Sequence, residues 1–366
     1  MKWLKKIMKL VCIGFVVLAL FFLLAGKNKD FGRKFMEEDY GVGGYREPDG
    51  KVYLSGDLFS YCRIESFREK IIETKLQTGT PIDKADIILK GDSFFNTGYD
   101  SYPVPNALQK ITGKNIFYLP TSGYEITPLK YLEKIDYRSS AEKLFIVETI
   151  ERNVMLRTQR LQSDFVNDNQ DGNYLTTDSR WFGIKDRIKN ILFDRIGVEY
   201  FIKNNLIFKP INNWFKNKAF NWLGDIDSKT PIYSNNPKML FFDEEVNFGK
   251  DKKKLDSINE SADNVAKEAR LIKEKYNLVL VYLIIPDKLS IYGDSVAGYK
   301  KYDNFIPRFQ EALKVRGVKY VDIYQVLSDY HNVYPNDLLY YSGDTHYLPK
   351  AKELLINKLL NSDLDF

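Results

Sequence analysis

Lys143-Leu-Phe-Ile-Val-Glu-Thr-Ile150 is almost unbroken in apolar side chains. A strand that is wet on one face alternates polar and apolar residues. One without alternation is covered on both faces, which is the condition of a parallel sheet packed between helices. Four other short segments also read as strands: 86–90, 115–119, 278–285 and 318–323. Helical spacing falls between them, at 127–135 before the third strand, 255–276 before the fourth, 304–316 before the fifth and 351–360 after it. This alternation predicts an α/β fold, a parallel sheet with helices on both faces. Such sheets carry ligand chemistry at the carboxyl ends of their strands.

Between the third and fourth strands lie residues 155–254, too long for an ordinary connection. The stretch 162–179 is polar and reads as a flexible loop, whereas 182–222 is rich in Trp, Phe, Ile and Lys. That composition suits a helical subdomain, a lid, or a face resting on a membrane or a membrane partner. Ahead of the first strand, Ile64, Phe67, Ile71, Ile72 and Leu76 recur at helical spacing and predict a helix over 64–76. The resulting division is an anchor at 1–29, a linker and packing helix at 30–85, and a main domain at 86–366 with an insertion at 155–254.

The anchor follows from residues 10–26, an apolar run preceded by Lys2, Lys5, Lys6 and Lys9. With Trp3, Leu4, Ile7 and Met8 at its start, a helix there just spans a bilayer of ~30 Å. The exit Leu23-Leu-Ala-Gly26 lacks a small-x-small cleavage site, which favours an uncleaved single-pass helix over its rival, a signal peptide. A short tail before a long domain puts that domain outside the cytoplasmic (inner) membrane, facing the periplasm or the cell exterior. Cys62 is then the only cysteine outside and cannot form an internal disulfide with Cys12 across the membrane. Those four lysines account for four of the five net positive charges, so the remainder is nearly neutral and gives no electrostatic case for nucleic acid. The sequence carries no internal repeat, P-loop, dinucleotide fingerprint or metal-ligand cluster. No cofactor or metal is expected.

Two stretches carry chemistry. Ile88-Leu-Lys-Gly-Asp-Ser-Phe-Phe95 runs a strand into a tight turn that lifts a serine hydroxyl off the sheet. Tyr341-Ser-Gly-Asp-Thr-His-Tyr347 puts an aspartate two residues before a histidine, ahead of the last helix. A serine nucleophile needs a base, and the base needs a group that fixes its tautomer. Ser93, His346 and Asp344 fill these roles, and Asp92 reads as a hydrogen-bonding residue of the turn. The chain has only two histidines, and the other, His331, reads as a surface residue.

Gly91-Asp92-Ser93 early and Asp344-x-His346 late resemble the SGNH (GDSL-type) hydrolase superfamily. More narrowly, the chain resembles the SGNH-like O-acetyltransferases of alginate and other exopolysaccharides. Val147-Glu-Thr-Ile-Glu-Arg-Asn153, Ile284-Ile-Pro-Asp-Lys288 with Tyr292, and Asp344-Thr-His-Tyr347 before Pro349 carry that likeness. It covers the chain from about residue 86 onward, apart from its middle third. In the alginate enzymes the Asp-x-His motif precedes the serine. Here the serine comes first, as in ordinary SGNH hydrolases, which reads as a circularly permuted arrangement of one site.

The resemblance implies an SGNH-like (flavodoxin-like) sheet and an oxyanion hole from the Ser93 backbone, Gly123 and Asn153. It further implies Arg152, Lys288, Tyr292 and Tyr347 as substrate-binding positions. For Lys288 a solvated lysine, and for the tyrosines a place in the core, are the alternatives. The implied activity is extracytoplasmic O-acetylation of a cell-surface or secreted polysaccharide through an acyl-enzyme. A membrane-bound O-acyltransferase partner would supply the acetyl group. A carbohydrate esterase with the same triad, and a non-catalytic polysaccharide-binding subunit of an export complex, are the alternatives.

Overall fold

The computed structural model describes residues 44–46, 51–77, 79–119, 127–167, 208–224, 229–296 and 302–364, and singly 13, 226 and 299. Five parallel strands form the central sheet: β1 (Ile87–Lys90), β2 (Ile116–Leu119), β3 (Lys143–Ile150), β4 (Leu278–Ile285) and β5 (Lys319–Val321). Their spatial order is β5-β4-β3-β1-β2. The chain thus builds outward from β1 to β2, then crosses to the other side of β1 and continues through β3, β4 and β5. A crevice opens at such a reversal, outside the carboxyl ends of β1 and β3.

The helices that pack on or edge this sheet are α1 (Asp57–Cys62), α2 (Ser93–Asn96), α3 (Val104–Thr112), α4 (Pro128–Lys134), α5 (Val154–Asn167), α6 (Asp243–Lys250), α7 (Ile258–Tyr276), α8 (Lys288–Tyr292), α9 (Phe305–Val315), α10 (Ile323–Val333) and α11 (Pro349–Leu360). Successive strand side chains alternate between the two faces. Ile87 and Leu89 meet Val104 and Leu108 of α3, Leu327 of α10 and Leu355 of α11 on one side. Ile88, between them, joins Leu132 of α4, Val265 of α7 and Phe309 of α9 on the other. The unbroken apolar runs of β3 and β4 are therefore explained by two cores, one on each face.

Strands β3 and β4 have the bounds read from the sequence, and β5 is shorter because Ile323 already opens α10. The helix expected over 64–76 does not form. Its place holds a single 3₁₀ turn, Glu65–Phe67, followed by extended chain in which Ile71 bridges Leu54 and Glu73–Thr74 pairs with Gly98–Tyr99. Ile64, Phe67 and Ile71 are buried as a helix would bury them, but the Phe67 N–H closes a single turn on the Ile64 carbonyl and Ile71 exchanges backbone bonds with Leu54 instead of an i→i−4 ladder.

The chain divides into two compact units. The main unit comprises Arg46–Gly172 and Ile226–Phe366. Residues 51–85, the stretch expected to pack on the domain, belong to it. So do α6 and the hairpin Ile232–Asn235/Lys238–Phe241, whose Met239, Phe241 and Val246 lie in the core. The other unit comprises Met1–Tyr45 and Asn173–Asp225. Within that unit the helix Phe208–Leu223 exposes Ile211, Trp214, Phe215 and Trp222 along one side. The apolar run 10–26 lies, but for Ile13, outside the described residues. Among those described, no helix is long and apolar enough to cross a membrane.

Candidate active site

β1 is buried throughout, and the chain leaves it through Gly91. A Cβ at that position would lie 2.5 Å from Glu148 Oε2, so the turn closes onto β3 only because residue 91 has no side chain. The next residue, Asp92, donates its N–H to Glu148 Oε2 (2.7 Å), and its carboxylate caps α2 by accepting the Phe94 N–H (3.0 Å). Tyr118 reaches across from β2 to donate to the Gly91 carbonyl at 2.8 Å. These bonds place Ser93 at the first position of α2, half-buried, with Phe94 and Phe95 in the core beneath it.

The loop 341–347 is fixed from three directions. Lys288, buried under it, donates from Nζ to the carbonyls of Leu240 (3.1 Å), Tyr341 (2.7 Å) and Asp344 (2.6 Å). Glu69 accepts Ser342 Oγ (2.7 Å) and the Gly343 N–H (2.9 Å). From α1, the Asp57 N–H donates to Asp344 Oδ2 (2.8 Å), while its carboxylate accepts the Thr345 N–H (2.8 Å) and the Thr345 hydroxyl. Gly56 permits this approach. It sits at φ 99°, and a Cβ there would come 2.3 Å from the Gly343 oxygen.

The three expected residues then meet. His346 Nε2 lies 2.8 Å from Ser93 Oγ, and Nδ1 lies 2.6 Å from Asp344 Oδ1. In the tautomer that serves as a base, Nδ1–H donates to Asp344 and Nε2 accepts from the serine hydroxyl. Asp344 Oδ1 also accepts the His346 backbone N–H at 2.8 Å, so the carboxylate is oriented by donors on both oxygens. The imidazole lies between the rings of Phe94 (centroids 4.8 Å apart) and Tyr99 (4.9 Å). Burial alone would lower the His346 pKa, but the charge and hydrogen bond of Asp344, with Asp57 and Asp92 beyond, raise it above its usual 6.5. For Asp344, burial is outweighed by His346 and by the backbone donors, and its pKa falls.

A pH dependence follows. His346 must be neutral to take the serine proton, so the rate of Ser93 acylation should rise with pH and level off, with a midpoint above 6.5. Asp344→Asn should move the midpoint down, since it removes the charge that holds the proton on the ring. Stopped-flow acylation by an activated ester measures both midpoints. A wild-type midpoint at or below 6.5 would contradict this electrostatic account.

The remaining expected residues divide. Asn153 ends the 3₁₀ turn Glu151–Asn153, half-buried and just past β3, beside the strand that delivers Ser93. Gly123 lies outside the described residues. As a helix-start residue, Ser93 has a backbone N–H with no intrahelical acceptor.

The four side chains expected to bind substrate are each engaged within the protein. The Arg152 guanidinium is held by Asp287, with Glu244 and Glu245 at 3.7 and 3.9 Å, in a largely buried ion cluster. Lys288 is buried under the loop as described. Tyr292 is 1% exposed, accepts the Leu339 N–H at 2.8 Å and offers no open ring face. Tyr347 is 3% exposed, with its hydroxyl on the Phe94 carbonyl and its ring against Phe94. His331 is half-buried rather than on the surface, its ring against that of Tyr292.

Sequence reasoning missed Asp57, Glu69 and Tyr99. No local pattern announces them, because each acts on a partner more than 240 residues later. Ligand atoms of Asp57, Asp344 and His346 lie within 4.8 Å of one another. They are hydrogen-bonded to one another, to backbone N–H groups and to Thr345 and Ser93, so a cation there would have to displace the triad's own bonds. No protein-family model, curated protein or solved structure matches the chain.

Proposed function

We propose that the chain is an SGNH-type O-acetyltransferase that passes an acetyl group through Ser93 to a hydroxyl of a cell-surface or secreted polysaccharide. The observation that carries this reading is the Ser93–His346–Asp344 relay, at the carboxyl end of β1 and beside that of β3. The strand order, 2-1-3-4-5 counted along the chain, is that of flavodoxin-like sheets and agrees with the resemblance carried by Gly91-Asp92-Ser93 and Asp344-x-His346.

In the first half-reaction Ser93 Oγ attacks the acetyl carbonyl while His346 Nε2 takes its proton, and Asp344 stabilises the imidazolium. The Ser93 N–H, with Asn153 and Gly123 by resemblance, would donate to the developing oxyanion. His346 returns the proton to the departing group, leaving Ser93 acetylated. In the second half-reaction His346 deprotonates the acceptor hydroxyl, whose oxygen attacks the acyl-enzyme and releases Ser93. The membrane anchor, the domain's position outside the cytoplasmic membrane and a multi-spanning acyltransferase as acetyl donor belong to this proposal. They rest on the apolar run 10–26 and on the resemblance.

The test uses the full chain with 4-nitrophenyl acetate. A burst of nitrophenolate equal to the enzyme present, and an acetyl adduct on the Ser93 peptide, are expected. Added acceptor oligosaccharide should speed turnover and leave carrying acetate. If water consumes the acyl-enzyme and no sugar is esterified, the chain is a carbohydrate esterase. If no adduct forms at all, the acyl-enzyme mechanism is wrong and a binding subunit takes its place.

A further inference from the structure

We propose that the helix Phe208–Leu223 docks on an anionic lipid surface, with its aromatic side in the boundary between headgroups and acyl chains. This docking takes no part in the proposed acyl transfer and stands or falls apart from it.

Ile211, Trp214, Phe215, Lys218 and Trp222 fall at i, i+3, i+4, i+7 and i+11, so they form one stripe along the helix. Its four apolar members are 49%, 55%, 61% and 76% exposed, in that order. The opposite side, with Asn213, Lys216, Asn217 and Phe220, is half-buried. The helix is therefore covered on its more polar side and turns its apolar side to solvent, the reverse of what packing in a soluble domain produces. Large rings gathered in the open on one side mark a contact surface.

Charge selects the occupant. The helix carries Lys209, Lys216 and Lys218 and no Asp or Glu. Lys218 lies within the stripe itself, its Nζ 5.9 Å from the Trp214 ring centroid and 5.5 Å from that of Trp222. A second copy docked here would bring its own three lysines against these, and like charges repel. A dry protein interface would strip the Lys218 ammonium of water, and the helix offers no carboxylate to compensate.

A bilayer surface demands no such burial. Indole rings settle at the headgroup level, the lysine stem lies along them, and the ammonium stays among lipid phosphates. Trp214 and Phe215, edge to face at 4.9 Å, make a broad wedge beside it. Anionic headgroups add the counter-charge, worth about fivefold in binding for each lysine near the surface. The same compact unit holds residues 10–26, the apolar run read as the anchor. Tethering there would raise the local concentration of lipid at the helix.

The experiment uses the full chain with vesicles of phosphatidylcholine, alone or mixed with phosphatidylglycerol. A nitroxide at Phe215→Cys, on a Cys12→Ser background with Cys62 buried, reports the depth of the stripe. Another at Val315→Cys, exposed at the end of α9, is the aqueous reference. On the mixed vesicles the nitroxide at 215 should become accessible to oxygen and shielded from a water-soluble nickel chelate. Lys218→Glu changes the helix by two charges and should weaken docking by about thirtyfold. Its midpoint of urea unfolding should match the wild type, since the side chain lies on an open face.

The proposal is overturned if residue 215 stays in water on the mixed vesicles. It is also overturned if neither Lys218→Glu nor the removal of phosphatidylglycerol changes its depth. Shielding with no vesicles present would mean that a second copy covers the stripe, and shielding only in native membranes would mean that a protein does; either ends the lipid assignment. Failure of the acyl-enzyme reading changes none of these readouts. If residues 10–26 do not hold the chain in lipid, flotation with the mixed vesicles, and not with phosphatidylcholine alone, reports the same docking.

Discussion

Ser93→Ala is expected to form no acetyl adduct and to lose turnover by ~10⁶-fold, the scale seen when a serine nucleophile is removed from a working triad. His346→Ala should fall almost as far, because Nε2 at 2.8 Å is the only base in contact with Ser93 Oγ among the described hydrogen bonds. The double variant should be little worse than either single one, since the groups act as a unit. Asp344→Asn should cost up to ~10⁴-fold. The geometry says why an isosteric amide is no substitute. Oδ1 accepts from the His346 N–H and ring, and Oδ2 accepts from the Asp57 N–H. Either orientation of an amide aims its NH₂ at an N–H donor. Mass spectrometry of the trapped adduct and steady-state turnover measure these effects. A fully acetylated product from Ser93→Ala would end the covalent mechanism.

The largest loss of stability is expected from Lys288→Met. Its ammonium is buried and satisfies three carbonyl oxygens, two of them in the catalytic loop. Methionine fills most of the volume but leaves those oxygens without donors, at a cost of about 3–5 kcal/mol. The variant should unfold at clearly lower urea concentration, and its turnover should fall because Asp344 loses the support of its own carbonyl. Urea titration followed by fluorescence is the measurement. If Lys288→Met unfolds like the wild type while its acceptor KM rises, the lysine is a substrate group after all and its structural assignment is wrong.

How much of this was legible in the sequence depends on the range over which a residue acts. The runs 143–150 and 278–285 declare doubly covered strands from composition alone, and the structure gives them those bounds. Ser93 and His346 were findable because a strand-turn-helix and an Asp-x-His loop are local patterns in a chain with only two histidines. Their meeting is not local, and neither is the clamp on it. Asp57 lies in a six-residue helix with no capping signature, and its importance exists only through Asp344, 287 residues later.

The helix expected over 64–76 failed for a related reason. Its apolar spacing is real, but Leu54 and Gly98–Tyr99 offered its backbone better partners than its own next turn did. Lys288 and Tyr292 show the remaining limit. A position just past a strand end locates the backbone at the site, yet the Lys288 side chain is buried beneath the 341–347 loop and that of Tyr292 lies in the core.

The clamp of α1 on the catalytic loop has a consequence for the newborn chain. Ser93 is made 253 residues before the histidine that activates it, and Asp57 some 287 before the aspartate it holds. Through all of that synthesis the nucleophile is an ordinary alcohol. A ribosome-bound chain therefore lacks the base that the proposed acyl transfer requires. Contacts of such long separation also form late and slowly in folding. Reactivity is thus the last property the molecule acquires, and a chain that stalls before residues 344–346 are laid down is chemically silent.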